Sequence, residues 1–195
     1  MRRTFVIVIA SGALAVAGAG SAACAPSGPA SVQATGKGSA GHGPPAANQA
    51  AIYVPVLRRY LSTPAENSFP PHTFKTVYVL DQAFPHAAIP VSDAAGTPVT
   101  SNAQHQITVA LRRTAHVVFV TDRNRVIKTG GGCAQVKNGG ILITLGTPDG
   151  EGPAARVAID GFVACLGATH LTYIVKQQAD TSWRVTGTTG SMGIS

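Results

Sequence analysis

The second half of the chain is written with a period of two. Leu171, Tyr173 and Val175 alternate with polar neighbours, and Trp183, Val185 and Gly187 do the same after a turn at Gln178–Thr181. Strands that alternate in this way bury one face and leave the other open, the habit of an antiparallel sheet. Further β-branched runs precede them at 75–80, 117–121, 126–129, 133–136, 141–145 and 157–166. Polar or glycine-rich breaks separate most of these runs, among them Asp122–Arg125 and the loop 146–153. Asn138-Gly139 carries the chemistry of a two-residue hairpin turn and predicts that 133–136 folds back onto 141–145. The glycines at 130–132 and 139–140 read as hairpin residues; no Gly-Lys-Ser/Thr follows them to make a phosphate loop.

Something must cover the buried face, and two segments have helical spacing. In 49–61 the stripe Ile52, Val56, Tyr60 lies beside Tyr53, Leu57, Leu61. Pro55 is acceptable there if it falls in the first turn of a helix that begins near Ile52. Thr63–Glu66 predicts a short turn with Pro64 at its first position. Ser101 and Gln104 match a capping box, opening a helix with Ala103, Ile107, Ala110 and Leu111 on one face. Arg112 and Arg113 close it, where cations suit the helix dipole. Residues 81–100 read as a polar connection. The expected fold is α+β: a predominantly antiparallel sheet of about five to seven strands, with the two N-terminal-half helices packed on one face. Residues 49–195 are one domain, long enough for a single core.

The first 23 residues have the order of a secretion signal. Arg2 and Arg3 precede the uncharged apolar run Phe5–Ala19, which leads into Gly20-Ser21-Ala22-Ala23. Two processing readings meet at the bond before Cys24. Ser21-Ala22-Ala23 suits a signal peptidase, whereas Ala22-Ala23-Cys24 resembles a lipoprotein lipobox in which the cysteine is acylated. Ser21 departs from that pattern, which has an aliphatic residue there. The cysteine count favours lipidation: Cys133 and Cys165 can pair in an oxidising compartment, leaving Cys24 odd. A Cys133–Cys165 bridge would contribute on the order of 3–4 kcal/mol. Residues 24–48 are rich in Ala, Gly, Pro and Ser, with Lys37 their one charge, and read as a disordered tether. As a flexible coil such a tether would span on the order of 25 Å.

Without the leader the chain keeps thirteen basic and eight acidic residues, a net charge of +5 with no cationic run longer than Arg58-Arg59 and Arg112-Arg113. That scatter argues against a nucleic-acid partner, which calls for clustered charge interleaved with aromatics.

No motif names a reaction. His72, His86, His105, His116 and His170 stand in no metal-binding spacing, and no cofactor is expected. Gly190-Ser191-Met192-Gly193 fails as a nucleophile elbow because Thr189 stands where glycine is needed. Asp149 and Glu151 share a loop suited to solvent, and Trp183 reads as a core anchor. Asp160 interrupts an apolar strand and is expected to face solvent or a cross-strand Lys or Arg. The one loop-borne set that could converge is Asp81, His86 and His72.

The closing pattern Leu171-Thr172-Tyr173-Ile174-Val175, a turn, Trp183-Arg184-Val185-Thr186, then Gly193-Ile194-Ser195 resembles the tails of many exported bacterial proteins of unknown function. The Ala/Gly-rich leader and its lipobox-like cysteine resemble those of exported actinobacterial lipoproteins. The resemblance implies a helix on a curved antiparallel sheet, cystatin-like or nuclear-transport-factor-like, and implies no activity. Three functional classes follow. The first is a non-enzymatic, lipid-anchored envelope module that binds a protein or small ligand, with the membrane as its partner through acylated Cys24. The second is a secreted hydrolase using Asp81, His86 and His72. The third is an extracytoplasmic inhibitor or immunity-type protein.

Overall fold

A computed structural model describes residues 49–87, 96–165 and 167–194. The leader, Cys24, the tether 24–48 and part of the 81–100 connection lie outside the described residues.

Helix α1 runs Gln49–Ser62, and a four-residue helix α2, Pro64–Asn67, follows it. Because α1 starts at Gln49, Pro55 sits inside the helix and not in its first turn. Its missing N–H leaves the carbonyl of Ala51 without its helical partner. Burial of Ile52, Tyr53, Val56, Leu57 and Tyr60 on one side outweighs that loss. The start of α1 is clamped by Gln49, whose Nε2 donates to the Pro98 carbonyl and whose Oε1 accepts from the Thr100 N–H, both at 3.0 Å. Thr100 in turn caps α3, Ser101–Leu111, by accepting from the Ala103 N–H at 3.2 Å. The cap therefore lies one residue before the expected Ser101, and Gln104 donates to the Val99 carbonyl instead of closing a capping box.

The main sheet has six strands: β1 Thr76–Leu80, β4 His116–Val120, β7 Ile141–Leu145, β8 Ala154–Phe162, β9 Ala168–Gln177 and β10 Trp183–Ile194. Their order is β10-β9-β8-β7-β1-β4. The β7–β10 half is antiparallel, as the alternation predicts. The other half is not: β1 runs parallel to both β4 and β7. The sheet is thus mixed, because the connection carrying α3 is long enough to return β4 beside β1 in the same direction. Short pairs complete the set, β2 Gln82–Ala83 with β3 Thr97–Pro98, and β5 Ile127–Gly130 with β6 Cys133–Val136.

The Asn138-Gly139 hairpin does not form. Asn138 and Gly139 do take positive φ values of 58° and 61°, as that turn chemistry favours. However, β7 already has β1 on one edge and β8 on the other, so β6 pairs with β5 across the turn at Gly131-Gly132. Cys133 and Cys165 are bridged, with Cα atoms 5.4 Å apart, tying this hairpin to the end of β8.

Two apolar clusters result. One joins α1 and α3 to Val77, Val79, Ile141, Ile143, Val157, Ile159, Leu171 and Tyr173. The other joins Tyr78, Leu80 and Leu142 to Phe84 and to Val126 and Val136 around the β5–β6 hairpin. Trp183 packs half-buried at the margin of the first cluster, and its indole N–H has no partner among the described residues. Gly161 is required by close approach: the buried Tyr60 hydroxyl, bonded to Thr169 Oγ1, occupies the place a Cβ would take. Among the described residues no helix is long and apolar enough to cross a membrane.

Candidate functional site

Antiparallel register sets side chains of neighbouring strands directly opposite one another. Across β7, β8 and β9 the register pairs Thr144 with Asp160 and Asp160 with His170. One step along, Leu142 pairs with Phe162. A polar row therefore lies beside an apolar one. These positions alternate with Ile143, Ile159 and Leu171, which belong to the first apolar cluster, so the two rows point to the side of the strands opposite those three residues.

The β5–β6 hairpin and the turn Pro85–Ala87 cover only part of this second side. Between them a cleft of about 310 Å³ remains, lined by Thr144, Asp160, His170, Leu142 and Phe162 from the sheet, with Ala87 and Arg123 as walls. Both walls are positioned by local structure. Phe84 holds the first turn, donating its N–H to the Leu145 carbonyl at 2.9 Å and accepting from Ala87 N–H at 3.0 Å. His86 and Ala87 both have left-handed backbones, with φ of 56° and 55°. Non-glycine residues hold that conformation at a cost of order 1–3 kcal/mol each, and such residues gather at ligand sites. Arg123 opens the turn Arg123–Arg125, whose preceding residue Asp122 accepts from Asn124 N–H at 2.8 Å.

Electrostatically the cleft is dipolar. Asp160 Oδ2 lies 3.9 Å from His170 Nδ1, an ion-pair distance beyond hydrogen-bond reach, with the two side chains 33% and 42% exposed. Arg123 stands farther from Asp160 than an ion-pair contact, and among the described residues it forms no ion pair. Burial pushes the Asp160 carboxyl up from the ordinary carboxylate range, and the electrostatic influence of His170 and Arg123 recovers only part of that shift. The site offers a carboxylate acceptor, a guanidinium donor, an imidazole and a hydroxyl over an apolar floor.

The expected set Asp81, His86 and His72 is not brought together by any hydrogen bond or ion pair among the described residues. Asp81 follows β1, and its backbone bonds Val120 and Val99. His72 is exposed in a separate turn, and His86 is exposed beside Ala87. His105 and His116 are exposed on α3 and β4. Ser191 lies on β10. Asp149 pairs with exposed Arg156 at 2.9 Å. Among the described residues no group of three or more His, Cys, Asp or Glu side chains could hold a metal.

Asp160, expected to face solvent or a cross-strand Lys or Arg, is one-third exposed and faces His170 across the strands, while Arg123 lines the same cleft beyond ion-pair reach. A signal for the first pairing was present. Residues 160 and 170 are equidistant from Cys165, so a hairpin turning there sets them opposite. Arg123 could not have been placed without knowing where its turn docks.

A second polar cluster is structural. Glu66 accepts from Arg59 at 2.6–3.0 Å and from the Tyr173 hydroxyl at 2.8 Å. Burial pushes the Glu66 carboxyl up, but these bonds outweigh it and hold the carboxyl below its ordinary range. The chain matches no protein-family model, no curated protein and no solved structure.

Proposed function

We propose that this chain is an exported, lipid-anchored envelope protein whose domain captures a small ligand in the cleft over β7, β8 and β9. One observation carries the binding half: Asp160 and Arg123, opposite in charge and not paired with each other, face a single apolar-floored cleft. A partly buried carboxylate lacking a hydrogen-bonded partner costs folding free energy. A ligand that supplies the missing partners recovers it. The volume is that of a small-molecule site, and convergent polar groups on an apolar surface are the usual composition of one. The reading takes α1 and α3 as the cover of the opposite side of the sheet.

The test is a fragment screen against the ¹⁵N-labelled mature full chain. Shifts concentrated at Thr144, Phe162 and His170 are expected; shifts scattered over other surfaces, or none, overturn the reading. The export half rests on Arg2, Arg3, the apolar run to Ala19 and Cys24. Mass spectrometry of the mature N-terminus should find a lipid-modified Cys24. An unmodified N-terminus removes the anchor, and an uncleaved leader removes export.

A second reading is favoured by one detail. Asp160 stands 3.9 Å from His170 Nδ1, and closing that gap to hydrogen-bond distance on substrate binding would orient the imidazole as a general base with its other nitrogen left for a substrate. A hydrolase would use this pair in place of Asp81, His86 and His72. Hydrolysis of simple esters, abolished by His170→Ala, would favour it over pure binding.

A further inference from the structure

Resting on the cleft reading, we infer that the ligand is a small zwitterion with an apolar body, of the α-amino acid class. Asp160 and Arg123 both line the cleft without an ion-pair contact between them, so a ligand with one charge satisfies one of them and leaves the other without a directly bonded opposite charge. A monocation on Asp160 would be repelled by Arg123, and a monoanion on Arg123 would be repelled by Asp160. A ligand carrying both charges meets an opposite charge at each end and brings no net charge into the site.

The hydrogen-bonding groups match as well. An ammonium needs acceptors, and the Asp160 carboxylate stands beside the Thr144 hydroxyl in the cross-strand row. A carboxylate needs donors in a plane, which the guanidinium of Arg123 provides as a fork. The remaining lining is apolar: Leu142, Phe162 and Ala87 offer a surface for an uncharged side chain. At about 310 Å³ the cleft lies at the small end of ligand sites, which suits one amino acid and not a peptide.

Calorimetry on the mature full chain tests this with leucine, N-acetyl-leucine, leucinamide, 4-methylpentanoate and glucose. Leucine is expected to bind, and blocking either end should weaken binding by about tenfold to a hundredfold, the value of one charge-assisted interaction. Asp160→Asn should weaken leucine and leucinamide but not N-acetyl-leucine. Arg123→Gln should weaken leucine and N-acetyl-leucine but not leucinamide. A loss of fold would weaken every probe alike, so the crossed pattern separates a site effect from instability. Equal binding of leucine and its blocked forms, or tighter binding of glucose or 4-methylpentanoate, overturns the zwitterion. If no probe binds while fragments still shift Thr144, Phe162 and His170, the ligand class is wrong and the cleft reading stands. If fragments also leave those residues unmoved, both fall.

Discussion

Replacing Gly161 with alanine tests how α1 packs on the sheet. The backbone at Gly161 is ordinary extended strand, where alanine by itself would be favoured by about 0.5–1 kcal/mol. Space is the obstacle. A Cβ would collide with the Tyr60 hydroxyl and lie 2.8 Å from Tyr60 Cζ, inside a fully buried ring. Forcing a side chain aside in a packed core costs about 1–3 kcal/mol. Displacing the hydroxyl also breaks its bond to Thr169 Oγ1, which is 2.5 Å long and buried, for about 1 kcal/mol more. That phenol is held protonated by burial, its pKa pushed up to about 12, so the bond persists across the working pH range. The expected net loss is about 2–3 kcal/mol. Trp183, the only tryptophan and half-buried beside the same cluster, reports urea unfolding by fluorescence. The sharper measurement is the double mutant with Tyr60→Phe. Alone, that change costs about 1 kcal/mol by orphaning the Thr169 hydroxyl. In the Gly161→Ala background it removes the atom in closest collision and leaves the milder approach to Tyr60 Cζ, so the pair should be less destabilised than the sum by about 1–2 kcal/mol. Additivity within about 0.5 kcal/mol would refute the packing argument.

Asp160→Asn should raise the urea midpoint at neutral pH. The native carboxyl binds its proton more tightly than the unfolded chain does, so ionised Asp160 opposes folding. That penalty grows as pH rises from the unfolded carboxylate pKa through the higher native one. The variant should lose this slope, and a lowered midpoint would contradict the account. Glu66 has the opposite sign. Its depressed pKa contributes stability above the unfolded value, and this is lost as pH falls through that value to the native one. Glu66→Gln should cost about 1–2 kcal/mol at pH 7, mostly through the Tyr173 bond because the Arg59 side chain is half-exposed, and should flatten the acid limb of the stability curve. Reducing the Cys133–Cys165 bridge should lower stability by about 3–4 kcal/mol, read from unfolding with and without reductant. An unchanged midpoint would place the bridge in a segment that opens before the core unfolds.

Particular residues show where sequence reasoning stopped. The helix before β4 was legible from its apolar spacing, but Thr100 and Ser101 both carry hydroxyls and either could cap it. The choice fell to Gln49, 51 residues away in sequence, which takes the Thr100 N–H and holds that residue extended. Asn138-Gly139 behaves locally as its chemistry dictates, yet makes no hairpin because β7 has no free edge. Two of the three strands with a parallel neighbour, β1 and β7, were marked by their composition; the partly exposed edge strand β4 was not. Tyr78, Val79 and Leu80, and all of Ile141–Leu145, are apolar or buried on both sides, which a half-exposed antiparallel strand is not.

The sequence by itself determined which residues form strands and helices over most of the described chain, and which cysteines can bridge. Those properties depend on periodicity, local backbone preference and a thiol count. Only the tertiary structure decided which strands share an edge and what stands over the second side of the sheet. Edge pairing is a competition among all strands at once, and a winner cannot be read from any one of them. The cleft follows from that outcome. Thr144, Asp160 and His170 line up because β7, β8 and β9 are neighbours, and Arg123 joins them because the hairpin it precedes docks on Leu142 and Tyr78.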